Sequence, residues 1–391
     1  MLDVKAIQDE LKKLKLDGWL FFDHHHRDPI AAKILQLGNG MATRRWFYFI
    51  PRKGEPLKLV HRIEAGALDA VPGKEIEYSG WEELHKGVKK ILSSAKTIAM
   101  QYSPENNIPY IGLVDAGTIE LIRKLKKKVV TSADLVQKFE ASWTPAQFDG
   151  HLEAGRIIDK ITHEAFARAA EFVRDGKPLT EFELQQWILE QFRLRGITTS
   201  EPPIVAVQPN NGNPHYEPSI QTARPIRAGD LLLLDIWGKL NKPGSVYYDI
   251  TWVGYLGARV PDSYAKIFRI VKTARNTAVE LVKTAVAKGK PLHGWEVDRA
   301  ARDIIRKAGY EKYFVHRTGH SIGEETHGNG ANMDSLETRD DRKIVPHTCF
   351  SVEPGIYLPE FGIRSEVNVH VSEREARVTG AIQEEILPLL A

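Results

Sequence analysis

The chain has 391 residues, of which 42% are hydrophobic and 27% are charged, so it can bury a large core. Its 54 basic and 51 acidic residues leave a formal net charge of +3, too balanced for a protein that mainly neutralises phosphates. The sequence contains neither a run of about 18 apolar residues nor a cleavable apolar leader. We therefore expect a cytoplasmic protein that binds neither nucleic acid nor membrane.

Short apolar strands alternate with helical patterns in the first third of the chain. Residues 17–22, DGWLFF, predict a strand, and helical patterns follow over residues 30–37, 82–94 and 117–127. This alternation is typical of an α/β domain, and it contains no acid pair or glycine-rich phosphate loop. Three consecutive histidines, residues 24–26, suggest a metal site, but adjacent residues of a strand point to opposite faces.

The rest of the chain contains an internal repeat. GKPL occurs at residues 176–179 and again at 289–292, and each copy precedes an amphipathic helical pattern. The same spacing brings His215, in NPHYEP, to within one position of His327, in EETHGNG. Two copies of one unit imply a pseudo-twofold domain whose active site lies where the halves meet. We therefore expect both halves to contribute site residues.

Four carboxylates occur where the patterns predict buried strands or strand ends. Asp235 ends the apolar run LLLLD, and Asp249 lies within VYYDITWV. Glu353 follows the strand pattern FSV at a proline-glycine turn, and Glu366 precedes alternating valines. Because burying one unpaired carboxylate costs several kcal/mol, these acids need cationic partners. With His320 in RTGHSIG, they form a candidate metal-binding set.

Carboxylates combined with an imidazole suit divalent ions of the manganese, cobalt, iron or zinc type. The single cysteine, Cys349, excludes a thiolate zinc site. Four acids and one histidine exceed the needs of one ion, whereas two ions can share bridging carboxylates. Such a pair generates hydroxide from a shared water near neutral pH and polarises a substrate carbonyl. The set therefore predicts metal-assisted hydrolysis.

The chain resembles the pita-bread metallopeptidases, in the branch of aminopeptidase P and prolidase that cleaves Xaa-Pro bonds. Six motifs carry the resemblance in the family's order: NPHY, LLLLDIW, YYDIT, TGHSIG, SVEPGIY and IRSE. The resemblance implies an α+β fold, with a pita-bread catalytic domain of pseudo-twofold internal repeat over residues 145–391. A smaller creatinase-like α/β domain is implied over residues 1–140, and so is a homodimer.

The resemblance also implies roles for individual residues. It implies two divalent ions per chain, expected to be manganese. Asp235 would bind the first ion, and His320 and Glu353 would bind the second. Asp249 and Glu366 would bridge the two ions. His215 and His327 would contact substrate and stabilise the tetrahedral intermediate or shuttle protons. Arg364 resembles an arginine of the family that contacts substrate or supports the ligands.

Two departures from the family pattern bear on the substrate. Trp252 stands where many relatives have an arginine, and Gly328 where relatives often have an aspartate. We expect cleavage of Xaa-Pro bonds in short peptides by metal-bound hydroxide. The alternative is a metal-dependent hydrolase or lyase of a small non-peptide metabolite on the same fold, which the two departures favour. A third hypothesis is a binding module without catalytic activity. Such modules typically lose metal ligands, and this chain retains all five predicted ligands.

Overall fold

The computed structural model describes residues 2–38 and 40–391 of the chain. These residues form two compact units, with the division between Glu140 and Ala141. None of the helices in the described ranges is both long enough and apolar enough to cross a membrane.

The N-terminal unit is built on one mixed sheet with the strand order β4-β3-β2-β1-β5-β6. Its strands are β1 (Gly18–Asp23), β2 (Trp46–Pro51), β3 (Leu57–His61), β4 (Lys74–Tyr78), β5 (Thr97–Met100) and β6 (Lys128–Thr131). Its helices are α1 (Val4–Lys13), α2 (Pro29–Leu35), α3 (Trp81–Ile91), α4 (Ala116–Lys124) and α5 (Ala133–Val136).

Strand β1 explains why this unit is α/β. All of its residues are buried, and its side chains alternate between two cores on opposite faces of the sheet. Trp19 and Phe21 pack into one core, and Leu20 and Phe22 into the other. A strand buried on both faces needs layers on both sides, which the helices supply.

The C-terminal unit contains two long helix pairs and several twisted sheets. Its helices are α6 (Pro145–Arg174), α7 (Glu181–Leu194), α8 (Asp262–Ala287) and α9 (Gly294–Lys307). Its strands are β7 (Ile197–Thr198), β8 (Ile204–Val207), β9 (Leu231–Leu240), β10 (Tyr248–Tyr255), β11 (Ser321–Ile322), β12 (Cys349–Val352), β13 (Gly355–Tyr357), β14 (Gly362–Arg364), β15 (Val367–Val371), β16 (Ala376–Thr379) and β17 (Leu387–Pro388). One sheet runs β17-β10-β9-β7 with β8 also paired to β9, another runs β11-β12-β15-β16, and β13 pairs with β14.

The sequence repeat corresponds to the two helix pairs. Gly176 follows α6 at φ +64°, and Gly289 follows α8 at φ +60°. Glycine adopts this left-handed conformation without steric cost, so each helix ends there and the chain reverses into the next helix. One pair packs with β9 and β10 in one core, and the other packs with β12 and β15 in a second core. Each repeat thus buries the face of its own sheet.

Several helices end earlier than the sequence patterns predict. The predicted helices 30–37, 82–94 and 117–127 end at Leu35, Ile91 and Lys124. At α2 the reason is local, because Gln36 adopts a left-handed conformation, with φ 55° and ψ 42°, that stops the helix.

Candidate active site

Two antiparallel strands present the first two acids on the same face of a sheet. Strands β9 and β10 pair so that Asp235 lies directly opposite Thr251, which places Asp249 diagonally across from Asp235. Since side chains alternate along a strand, Asp249 and Thr251 face one side, and Ile250 and Trp252 face the other. The second side is the core of α6 and α7.

The second sheet brings the remaining acids against this face. Glu353 lies in the turn after β12, and Glu366 lies between β14 and β15. The Glu366 N–H donates to the Thr251 carbonyl at 3.2 Å. The Asn368 side chain accepts from the Asp249 N–H at 3.2 Å and donates to the Asp249 carbonyl at 2.8 Å. These bonds join the two sheets beside the acids.

All of the predicted site residues line one cavity of about 700 Å³. They are His215, Asp235, Asp249, His320, His327, Glu353, Arg364 and Glu366. Four of them, Asp235, Asp249, His320 and Glu366, are buried and Glu353 is half-buried, while His215 and His327 keep solvent-exposed surface. Within the described chain, potential ligand atoms of Asp249, His320 and Glu366 lie within 4.8 Å of one another.

Arg364 and Thr251 hold the carboxylates in place. The buried Arg364 guanidinium contacts Asp235 through Nη2 and donates from Nε to Thr251 Oγ1 at 2.9 Å. Thr251 Oγ1 lies 2.8 Å from Glu366 Oε2 and 3.1 Å from Asp235 Oδ1. Arg364 also donates to Tyr357 Oη at 2.9 Å. The guanidinium thus makes its hydrogen bonds to protein groups. A contact between Arg364 and the substrate stays a prediction.

The hydrogen bonding of His320 orients one ring nitrogen for a ligand. Its Nδ1 lies 3.1 Å from the Ser321 carbonyl, which can only accept, so Nδ1 carries the proton. In the neutral ring, Nε2 then presents a lone pair, and it lies 3.5 Å from both Asp249 Oδ2 and Glu353 Oε1. A lone pair facing two carboxylate oxygens is satisfied by a cation between them.

Burial and mutual repulsion shift the pKa values of Asp249, Glu353 and Glu366 upward. Burial, with the Asp235 charge, raises the pKa of Asp249 well above its usual value. Burial, with the Asp249 charge, does the same to the pKa of Glu366. Burial also raises the pKa of Glu353, against the lowering effect of His320 and Arg364. Burial and the neighbouring negative charges thus outweigh the positive charge of Arg364 in raising these pKa values.

The donor set fits divalent ions. Asp249 Oδ1 is buried and has no hydrogen-bond partner in the described part of the chain. An unpaired carboxylate oxygen in a dry site is costly, and a metal ion would supply its missing partner. Oxygen ligands with one imidazole suit manganese and related ions. These residues could therefore hold the two ions that the sequence predicts.

The two loop histidines meet at the cavity, as the repeat predicts. His327 packs edge-on against His320, with ring centroids 4.3 Å apart. The neighbouring His320, assisted by burial and by Arg317, lowers the pKa of His327 to about 3. The ring is therefore neutral at pH 7 and keeps one N–H to donate. His215 lines the same cavity and lies on the loop after β8.

Sequence reasoning missed His316, which the cavity also includes. Its Nδ1 donates to the Arg317 carbonyl at 2.7 Å, so Nε2 accepts from Tyr357 Oη at 2.7 Å. Because Tyr357 in turn accepts from Arg364, a continuous chain of bonds links His316 to Asp235. The available signal was the four-residue spacing between His316 and His320.

The two departures from the family pattern have packing explanations. Trp252 points into the core beside α6, where its ring lies edge-on 4.9 Å from that of His163. It therefore does not replace a charge in the cavity. At Gly328 a Cβ would lie 3.1 Å from both the Gly323 nitrogen and Ser321 Oγ, so a larger residue needs the backbone to shift. The non-peptide alternative therefore gains no cavity contact from Trp252, and Gly328 has a steric explanation of its own.

The three consecutive histidines do not belong to this cavity. His24 and His25 line a separate cleft in the N-terminal unit with Arg27, Arg44 and Arg45. The chain turns sharply there, with φ 64° at His25 and 54° at His26. Positively charged neighbours make this cleft a poor cation site.

The comparisons with known proteins agree with this geometry. The profile described as metallopeptidase family M24 matches residues 153–373, more than half of the chain. The chain belongs to metallopeptidase family M24. The α+β pita-bread fold and the metallopeptidase class predicted from sequence are thereby confirmed.

The relatives of this M24 chain align with different fractions of its length. "Probable dipeptidase PepE" of Mycobacterium tuberculosis is 28% identical, covering 83% of this chain and 80% of that protein. The Xaa-Pro dipeptidase of Lactobacillus delbrueckii subsp. lactis is 34% identical over an alignment that covers 52% of this chain and 50% of that protein. The crystal structure of dipeptidase PepE from Mycobacterium ulcerans has a TM-score of 0.71 at 24% identity, covering 99% and 96%. That last likeness concerns the fold.

Proposed function

We propose that this M24 peptidase hydrolyses the Xaa-Pro bond of short peptides and uses two divalent ions, with manganese as the expected metal. The observation that carries the proposal is the group of carboxylates facing His320 Nε2, in which Asp249 Oδ1 has no protein partner. A homodimer, a cytoplasmic location and the creatinase-like character of the N-terminal unit stay predictions from the family resemblance.

The ligand assignment comes from the family resemblance, and the clustering of Asp249, His320 and Glu366 supports it. Asp235 would bind one ion, and His320 and Glu353 the other, with Asp249 and Glu366 between them. When bound, two such ions polarise a substrate carbonyl and increase the acidity of a nearby water. We propose that Arg364 positions two of the carboxylates, because it contacts Asp235 directly and is linked to Glu366 through Thr251.

The exposed histidines would act on the substrate. A neutral His327 can donate a hydrogen bond to the oxygen that becomes negative as the carbonyl is attacked. His215 lines the same cavity and can donate to the same oxygen or to the substrate backbone. Both rings are reachable from solvent, as groups that meet an incoming peptide must be.

Proline specificity has a simple chemical basis. The nitrogen of an Xaa-Pro bond has no hydrogen, and the ring fixes φ near −65°. A site without an acceptor for that hydrogen leaves the N–H of an ordinary peptide unpaired, which disfavours its binding. The Lactobacillus Xaa-Pro dipeptidase supports this assignment, and the M. tuberculosis relative supports a dipeptidase.

Rates on matched Ala-Pro and Ala-Ala dipeptides, measured with manganese-loaded protein, test the proposal. We expect Ala-Pro to be hydrolysed at least about tenfold faster, because a site shaped for the proline ring and its imide nitrogen binds the transition state of an ordinary peptide less well. Equal rates would contradict the proline specificity. No cleavage of either peptide by fully loaded protein would contradict the peptidase function. Adding Ala-Pro-Ala distinguishes a dipeptidase from an aminopeptidase.

A further inference from the structure

A buried carboxylate outside the candidate metal site has an unusual set of hydrogen-bond partners. Glu181 is the first residue of α7 and is fully buried. It accepts from the N–H groups of Val207 and Arg224, each at 2.7 Å, and from Tyr216 Oη at 2.7 Å. Asn210 Nδ2 donates to both of its oxygens, at 3.2 and 3.0 Å. These neutral donors offset much of the cost of burying the charge.

All of these donors belong to one segment of chain. We call residues 208–224 the His215 loop, because it connects β8 to the segment that leads into β9 and carries His215. Glu181 holds the chain at both ends of this loop, through Val207 and Arg224, and in the middle, through Tyr216. Tyr216 is the immediate neighbour of His215. One carboxylate thus fixes the path of the loop and the backbone that aims the histidine.

The other side of the loop is hydrogen-bonded to the strands and to the arginine beside the carboxylates of the candidate site. Asn211 accepts from the Gly362 N–H at 3.0 Å and donates to the Leu231 carbonyl at 2.8 Å. The Pro214 carbonyl accepts from Arg364 Nη1 at 3.4 Å. His215 therefore projects from a segment held between Glu181 and the arginine that orients Asp235.

We propose that Glu181 is a positioning residue that sets the location of His215 through Tyr216 and the ends of the His215 loop. The inference rests on the proposed function, in which His215 contacts the substrate. A displacement of about 1 Å in a group that contacts the reacting atoms can lower the rate as much as 10²-fold. A loop without regular strand or helix structure across its tip depends on such anchors for its accuracy.

A double-mutant cycle between Glu181→Gln and His215→Ala tests the proposal. The amide turns one acceptor into an N–H₂ group that faces donors, so we expect kcat/KM to fall about 10- to 100-fold with unchanged manganese content. In the His215→Ala background the same change should lower kcat/KM less than about twofold, because the group being positioned is gone. Independent losses that multiply would overturn the inference.

Two further variants separate positioning from folding. Tyr216→Phe removes only the anchor next to His215, and we expect it to lower kcat/KM in the same direction as Glu181→Gln. The matched control is Tyr48→Phe in the N-terminal unit, which loses a hydrogen bond of 2.8 Å to the Pro72 carbonyl. It should keep wild-type activity. If Glu181→Gln does not fold, the cycle is run with Tyr216→Phe, and full activity of that variant would overturn the inference.

Amide hydrogen exchange gives a readout that does not depend on activity. In metal-free protein, Glu181→Gln should speed exchange in the His215 loop and leave the core of α8 unchanged. Unchanged exchange in the loop would overturn the inference even if the rate fell. Wild-type protein that cleaves no peptide would contradict the proposed function, while the exchange comparison would still decide whether Glu181 holds the loop.

Discussion

Thr251 lies between two carboxylates and has only one hydroxyl proton to give. Its Oγ1 is 2.8 Å from Glu366 and 3.1 Å from Asp235, and Arg364 Nε donates to the same oxygen. The hydroxyl can therefore donate to only one of the two carboxylates at a time. The guanidinium and one hydroxyl must organise a cluster with more negative than positive charge. Metal ions would relieve that imbalance.

The charge imbalance leads to a prediction for Asp249→Asn. Removing one negative charge from the cluster should raise the unfolding midpoint of metal-free protein, by about 2–4 °C for each kcal/mol of repulsion relieved. The same variant should lose the stabilisation that manganese gives the wild type, because a shared ligand is lost. Thermal melts with and without manganese measure both effects. A wild-type response to manganese would rule out Asp249 as a ligand.

A second prediction separates the roles of two neighbouring histidines. His327→Ala should lower turnover about 10²- to 10³-fold, the usual loss for a donor to a developing oxyanion. Elemental analysis should still find the wild-type metal content, because His320 and the carboxylates are untouched. His85→Ala, on the exposed surface of the N-terminal unit, is the control and should remain fully active. Metal loss in the His327 variant would make His327 a ligand.

At the scale of single elements, β10 determines which side chains reach the site. Its pairing with β9 places Asp249 and Thr251 on the cavity side and Trp252 in the core. The apolar runs around Asp235 and Asp249 were sufficient to predict two buried strands. The motif comparison alone suggested that Trp252 affects substrate choice. The two-residue period of a strand instead places the Trp252 side chain on the face opposite the cavity.

Strand β10 supplies a third prediction, for Trp252→Phe. This change removes a buried indole N–H that has no hydrogen-bond partner in the described chain, and it keeps most of the apolar volume. We expect a loss of less than about 1.5 kcal/mol in the free energy of unfolding. Activity should be unchanged, as measured by kcat/KM on Ala-Pro. A folded, metal-loaded variant with low activity would instead give Trp252 a role at the site.

Loops and turns were harder to predict than strands and helices. Glu181 belongs to an amphipathic helical pattern, in which an acid next to the N-cap is ordinarily solvated. Its partners come from residues 207–224, and no local pattern indicates that the chain returns to this point. His316 was missed for the same reason, since its partner Tyr357 lies on a distant strand. Long-range hydrogen bonds of this kind follow from the fold and cannot be predicted from spacing.

At the scale of the whole molecule, the repeat explains where the site lies. The C-terminal unit contains two helix pairs, each with its own core, and the predicted ligands lie on or beside strands of both sheets. Sequence comparison within the chain was enough to predict this symmetry, because GKPL marks the end of the first helix in each half. It also predicted that His215 and His327 would share one cavity, which the structure confirms.

The N-terminal unit raises a separate question of charge. A cleft of about 970 Å³ in this unit is lined by His24, His25 and three arginines, with Asp115, Glu120 and Lys124 also present, whereas the cavity of the C-terminal unit contains clustered carboxylates. Two such environments should attract opposite ions. Metal binding is therefore expected in the C-terminal unit only.

Anomalous diffraction from crystals of manganese-loaded protein locates bound ions without reference to activity. We predict two peaks per chain in the C-terminal cavity, with Asp249 and Glu366 contacting both ions, Asp235 one of them, and His320 and Glu353 the other. A single ion in that cavity, or ions bound instead beside His24 and His25, would contradict the two-metal centre.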